Sequence, residues 1–198
     1  MNATQRPSRG RPSTFARDHV VQVAMDAYWR EGIEALSLNE ICRRAEVSKP
    51  GLYRAFEGED KLLDAVLERY DNVVLGPNFA AVDPDALLSD TLKAIVTSFT
   101  DVDRAGPPGC LLARLQHSDG LGPTTTARVE ALRQQARDSY GALIESAKAR
   151  GEVAESIPTR VAAAMIDIQC NTVLVRMAAG EDPELLRAQA MLAFSIFD

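Results

Sequence analysis

SLNEICRRAEVSKPGLYRAF, residues Ser37 to Phe56, is the stretch on which the fold turns, and it spells two short helices joined by one turn. Ser37 followed three residues later by Glu40 is a capping box: the serine oxygen takes the Glu40 N–H and the glutamate reaches back. From there Leu38, Ile41, Cys42 and Ala45 recur at helical spacing, which leaves Asn39, Arg43 and Arg44 off the apolar face. Glu46, Val47 and Ser48 make the connection, with Val47 as the plug between the helices and Ser48 as the cap of a second helix starting at Lys49. Pro50 fits only in a first turn, where its missing N–H has no partner to lose. Leu52 and Phe56, four apart, turn inward, so Lys49, Gly51, Tyr53 and Arg54 are left on an exposed face. Gly51 costs roughly 1 kcal/mol in a helix, yet it removes bulk where a backbone can approach another molecule.

Two short helices at a tight turn, the second basic at its exposed start, suit a recognition helix laid in a DNA major groove. An ordinary helical hairpin in a core has no need of that cluster of Lys49, Gly51, Tyr53 and Arg54. With Ala24, Ile41, Ala45, Val47, Leu52, Tyr53, Phe56 and Leu62 at these spacings, the first 70 or so residues resemble the tetracycline-repressor-like (TetR/AcrR) family of bacterial transcriptional regulators. Two positions depart from its pattern: Glu46 stands where the family commonly has glycine, and Glu59 where it commonly has a lysine near the DNA backbone. The resemblance implies a transcriptional regulator, most often a repressor, in which Lys49, Pro50, Gly51 and Tyr53 occupy the usual contact positions.

The surrounding sequence fits a head on a body. At 198 residues and 46% hydrophobic content the chain can bury a full core. Its net charge of −6 is unevenly spread: residues 1–56 hold nine Lys/Arg against six Asp/Glu, and the remainder thirteen against twenty-two. A positive head on an acidic body favours phosphates docking at one end. Three widely spaced cysteines, Cys42, Cys110 and Cys170, form no C-x-x-C pair and read as buried thiols in a reducing compartment. His19 and His117 are too far apart for a local zinc cluster, so neither metal nor cofactor is expected. The longest apolar stretch, Val161 to Val175, is interrupted by Asp167 and is expected to fall short of a membrane span. The first residues have no apolar core of a signal peptide, which points to the cytoplasm.

Residues 1–13, with Arg6, Arg9 and Arg11 and no acid, are expected to form a disordered basic arm. Arg9-Gly10-Arg11-Pro12 resembles an AT-hook that enters a narrow minor groove; a solvated basic tail attracting DNA without specificity is the other reading. Residues 14–58 are expected to form the helix-turn-helix head. Its first helix is capped by Ser13 or Thr14 and runs to about Glu31, with Arg17 near a phosphate. Residues 59–198 are expected to form a helical effector-binding and dimerisation domain. Within it a long helix from Glu59 to Leu75 couples head to body and stops at Gly76-Pro77-Asn78. Others run from Asp85 to Val102 after Asp83-Pro84, from Cys110 to Leu115, from Ala127 to Arg150, from about Thr159 to Met177, and from Pro183 to the end. The whole is all-α, a three-helix helix-turn-helix head plus a larger α-helical ligand-binding and dimerisation domain, about nine helices in total.

Lys49 and Arg54 are the expected direct base contacts, Tyr53, Ser48, Ser37 and Arg44 the phosphate contacts, and Asn39 a further base reader. Double-stranded DNA and a small-molecule effector are the expected partners, with no membrane. Phe99, Leu112, Leu115, Tyr140, Ile144, Met165 and Gln169 either surround an apolar effector pocket or are simply core. Cys110 is a small buried hydrophobe, a pocket residue or a thiol sensor; a thiol-gated repressor and a ligand-free architectural binder of A·T-rich DNA driven by the arm are the alternatives. An enzyme finds no support: the sequence shows no phosphate-cradling glycine loop, no nucleophile beside a base and no metal spacing. The last two helices carry more apolar surface than one body covers, and are expected to pair with their copies across a two-fold axis.

Overall fold

The computed structural model of the chain describes residues 14–80, 83, 85–116 and 118–197. The basic arm with Arg9 and Arg11, together with Ser13, Pro84 and His117, lies outside the described residues. Those described form ten α-helical segments and no strand. The head comprises α1 (Thr14–Glu31), α2 (Leu38–Arg44) and α3 (Lys49–Phe56). Both serine caps are made, Ser37 Oγ accepting the Glu40 N–H at 3.2 Å and Ser48 Oγ the Gly51 N–H at 3.2 Å, but the return half of the capping box is not, because the Glu40 carboxylate is taken up by Arg43 and Arg44. Tyr28, Ile41, Leu52, Phe56, Leu62 and Val66 close the head onto the following helix, and this apolar core continues into Leu111, Leu115, Val129 and Leu132 of the body without a break at residue 58.

The coupling helix does not stop where the sequence predicts. α4 (Glu59–Tyr70) passes through a π-turn, Asp71–Leu75, straight into α5 (Gly76–Ala80), so the nine rods of the fold include one compound rod. Gly76 N–H bonds back to Asp71 O, five residues away, and this wider turn makes room for Pro77, which a regular α-turn would exclude. α6 covers Leu88–Phe99 rather than Asp85 to Val102. Asp83 accepts the Asp85 N–H at 2.9 Å in a local turn. The helix opens only where Glu152, from the loop after α8, accepts the Leu88 N–H at 2.8 Å. Leu87, just ahead of this start, is exposed.

α7 (Leu111–Leu115) follows a Gly/Pro-rich loop, and α8 spans Pro123–Ala149, four residues more at its start than predicted. Its extra turn is capped from another helix. Asp60 of α4 accepts the N–H groups of Thr124 (3.0 Å) and Thr125 (2.8 Å), and the Thr125 hydroxyl donates to the Asp60 carbonyl at 3.0 Å. α9 (Thr159–Ala178) and α10 (Pro183–Phe194), with a 3₁₀ turn Ser195–Phe197, close the body over a second core of Leu92, Val96, Tyr140, Ile144, Ile166 and Leu186. The expectation that no stretch reaches membrane-spanning length needs correcting: α9, starting at Thr159 and ending at Ala178, is long and apolar enough by length and composition alone. Ala162, Ile166, Cys170, Val173 and Met177 nonetheless pack it into the body core, with Asp167 half-buried along it.

Candidate nucleic-acid interface and ligand cavity

The short α2–α3 pair holds its outward side chains by what it buries. Leu52 and Phe56 are 1% and 2% exposed, which fixes the rotation of α3 and turns Lys49, Pro50, Tyr53 and Arg54 to solvent. Ser37, Asn39 and Ser48 are exposed as well. Gly51 has a structural duty alongside the expected one, since a β-carbon there would sit 3.0 Å from the capping Ser48 Oγ. Two acidic residues occupy left-handed backbone at the turns that bracket α3: Glu46 with φ 54° and Glu57 with φ 60°. The first is the position where the resemblance leads one to expect glycine, and the backbone there has kept the glycine conformation.

The cations of this face divide into engaged and free. Glu40 bonds Arg43 through 2.7 and 2.9 Å contacts and Arg44 at 2.7 Å, and these bonds hold its carboxyl down at about 2. Arg44 is also bonded to both carboxylate oxygens of Glu31, tying α2 to the end of α1, so the residue expected on a phosphate is occupied within the head. Arg17 donates to the Ala55 carbonyl at 2.6 Å and its guanidinium lies 4.5 Å from the centre of the Phe56 ring, which pins α1 to the end of α3. Among the described residues, neither Lys49 nor Arg54 takes part in an ion pair. Arg9 and Arg11 lie outside the described residues.

Behind the head, the compound rod and α6 enclose a cavity of about 420 Å³. Tyr70, Val74 and Phe79 line it from the rod, Thr91, Ile95 and Phe99 from α6, and Arg104, Gly109 and Cys110 from the loop, with Tyr140 and Leu174 as its floor. Of the expected pocket residues, Phe99 and Tyr140 line it. Leu112, Leu115 and Ile144 do not: they are 7%, 1% and 0% exposed within the two cores. Met165 packs against the body core, and Gln169 is half-buried on α9 away from the cavity. Helical period says which side of a helix is inward, but not where two inward sides fail to meet. At the edge of the cavity the loop of Asp103 to Gly109 crosses α9 so closely that a β-carbon at Gly109, where φ is +83°, would lie 2.8 Å from the Leu174 carbonyl oxygen. Neither Arg104, one arginine in a loop, nor Tyr70, one aromatic in a long helix, stands out in the sequence as a cavity residue.

Cys110 is 7% exposed, and the Tyr70 hydroxyl donates to its Sγ at 3.3 Å. Burial pushes this thiol up, against the smaller opposing pull of that hydrogen bond, so it stays protonated. Asp60, at the junction of head and body, goes the other way. Burial raises it, but the bonds from Thr125 and Thr124 outweigh burial and bring it down to about 2. Asp64, one turn on, is paired with Arg128 of α8.

Comparison with known proteins places this geometry. Residues 20–66 match the family described as bacterial regulatory proteins, tetR family. The HTH-type transcriptional repressor ComR of Escherichia coli (strain K12) is 34% identical over 110 residues, which are 53% of this chain and 51% of ComR. The HTH-type transcriptional repressor DrrR1 of Streptomyces coeruleorubidus is 37% identical over 65 residues, 33% of this chain and 24% of that protein. The chain therefore spans about half the length of the first of these curated relatives and about a quarter of the second. A solved cysteine mutant of the TetR family transcriptional regulator CifR, complexed with 26-bp double-strand operator DNA, is 25% identical, covers 92% of this chain and 97% of its own, and superposes with a TM-score of 0.76. The head, residues 20–66, thus matches the tetR family, and the fold of the described residues is similar to that of a solved TetR family regulator.

Proposed function

We propose that the chain is a homodimeric repressor that reads a pseudo-palindromic operator with α3 in the major groove and is released by a small molecule held in the cavity. The observation that carries this is the exposed start of α3, where Lys49 and Arg54 stand outside any ion pair beside Tyr53 while the fold engages Arg17, Arg43 and Arg44 in bonds of its own. Lys49 and Arg54 make base contacts; Ser37, Ser48 and Tyr53 take phosphates; Asn39 is a further base reader. Arg44 acts from behind, by holding α2. In its favour, the CifR relative was solved on operator DNA, and ComR and DrrR1 are repressors by name.

The dimer forms through α9 and α10. Val161, Ile168 and Val175 on α9 recur every seven residues at 57%, 61% and 41% exposure, and Leu185, Leu192 and Ile196 on α10 stand at 48%, 76% and 62%. Two such stripes bury each other in a four-helix bundle with a second copy. Effector binding reaches the head along the compound rod, whose π-turn lines the cavity and whose first turns hold Asp60 and Asp64 against α8. The three cysteines are free and buried, as suits the reducing cytoplasm in which we place the protein.

Selection of bound sequences from a random duplex pool at about 0.15 M salt, where nonspecific phosphate attraction is damped, tests this. Recovery of a palindrome is the expected result. Recovery of A·T-rich DNA without symmetry would transfer the function to the Arg9-Gly10-Arg11 arm as an architectural binder, and removal of residues 1–12 would then abolish binding instead of weakening it.

A further inference from the structure

Three charged side chains line the cavity: Asp83, Asp90 and Arg104. Both carboxylates are at exposed positions, and Asp83 already accepts the Asp85 N–H at 2.9 Å. Arg104 is half-buried. Its amino group donates to the carbonyls of Pro107 (3.1 Å) and Gly109, and its guanidinium carbon lies 5.9 Å from the centre of the Trp29 ring. Among the described residues no carboxylate is paired with it. A guanidinium drawn partly out of water recovers only some of its solvation from carbonyl oxygens and an aromatic face; an anion supplies the rest.

The same corner offers a second donor. Trp29 packs edge-on against Tyr70 at 4.9 Å between ring centres, and the Tyr70 hydroxyl spends its proton on Cys110 Sγ at 3.3 Å while accepting the Leu111 N–H. Sulfur is a weak acceptor, so that proton is readily exchanged for an anionic oxygen. Opposite stand apolar and aromatic side chains, Val74, Phe79, Ile95, Phe99 and Tyr140.

We propose that the cavity selects an apolar, aromatic-sized molecule bearing one carboxylate or sulfonate, its anionic end on Arg104 and the Tyr70 hydroxyl and its body between Phe79, Ile95, Phe99 and Tyr140. This rests on the reading of the cavity as the effector site. It also gives the ligand a route to the head, because the guanidinium it recruits is the one leaning on Trp29 of α1.

Two probes with a common body separate charge from shape: anionic 8-anilinonaphthalene-1-sulfonate and neutral N-phenyl-1-naphthylamine. Each is titrated into the full chain and followed by its own emission and by quenching of Trp29, the single tryptophan. The anionic probe is expected to bind about tenfold tighter than the neutral one, and Arg104→Met to remove about tenfold from the anionic affinity while moving the neutral one less than about twofold. Equal affinities for the unsubstituted chain, or an anionic affinity indifferent to Arg104→Met, overturn the assignment but leave the cavity a ligand site. Binding of neither probe overturns the cavity as a site, and the effector reading with it. Arg104 also holds its own loop; if Arg104→Met fails to fold, the two-probe comparison on the unsubstituted chain decides alone.

Discussion

Lys49 and Arg54 are the side chains whose removal should say most about how the head meets DNA. Where Lys49 bonds a base edge, Lys49→Ala costs about 1–3 kcal/mol and relaxes preference at one operator position; where it bonds a phosphate, the substitution weakens all duplexes alike and lowers the salt slope by about one. Binding isotherms on the selected operator and its single-position variants, at several salt concentrations, distinguish the two for each residue. Glu46 is a second residue with a sharp expectation. At φ 54° it holds a backbone conformation that costs an L-residue energy and a glycine almost none. Glu46→Gly should therefore raise stability by about 0.5–1 kcal/mol in urea denaturation, and tighten nonspecific DNA binding by removing an exposed negative charge beside the turn. Cys110→Ser should leave release from DNA intact, since a thiol pushed up by burial beside Tyr70 is poorly suited to oxidation; loss of release under oxidant in that variant alone would establish the thiol gate instead.

Among the elements, the junction of α4 with the start of α8 is the one whose geometry makes the strongest demand. A β-carbon at position 122 would fall 2.3 Å from Cγ of Asp60, so Gly122→Ala must displace the carboxylate that caps α8. A cost of about 1–3 kcal/mol is expected, measured by thermal or urea unfolding. The same carboxylate carries a pH signature. Its pKa in the folded chain is about 2 against an ordinary 3.8, so its stabilisation is complete above pH 3.8 and is lost as pH falls through about 2. Asp60→Asn removes that contribution, and the stability difference between the two proteins should be constant above about pH 4 and shrink steadily from there to about pH 2, the window set by those two values. A constant difference across that range would mean that the cap contributes through packing and not through its charge.

At the scale of the whole molecule, the proposed dimer rests on the exposed stripes of α9 and α10. Ile168→Glu or Leu192→Glu introduces a charge where the proposed bundle closes, and should weaken dimerisation by more than about a hundredfold. Light scattering at micromolar concentration reads the mass, and operator binding should fall with it because each head alone holds half a site. Dimers of undiminished mass in both variants would move the interface elsewhere on the body.

The head was legible in the chain because its determinants are local. Ser37 with Glu40, Ser48 with Pro50, and the spacing of Ile41, Leu52 and Phe56 all act within one or two helical turns, so sequence order is enough to set α2, the turn and α3. The alternation of helices and Gly/Pro breaks likewise determined an all-helical body. Tertiary structure decided whatever depended on partners remote in sequence: the starts of α6 and α8, capped by Glu152 and Asp60 some 64 residues away; the passage of the coupling rod through Pro77 by a π-turn; the engagement of Arg44 by Glu31. The cavity belongs to the same class. Its lining comes from the rod, α6, the Asp103 to Gly109 loop, α8 and α9 together, and periodicity, which reports one helix at a time, carries no information about a gap between several.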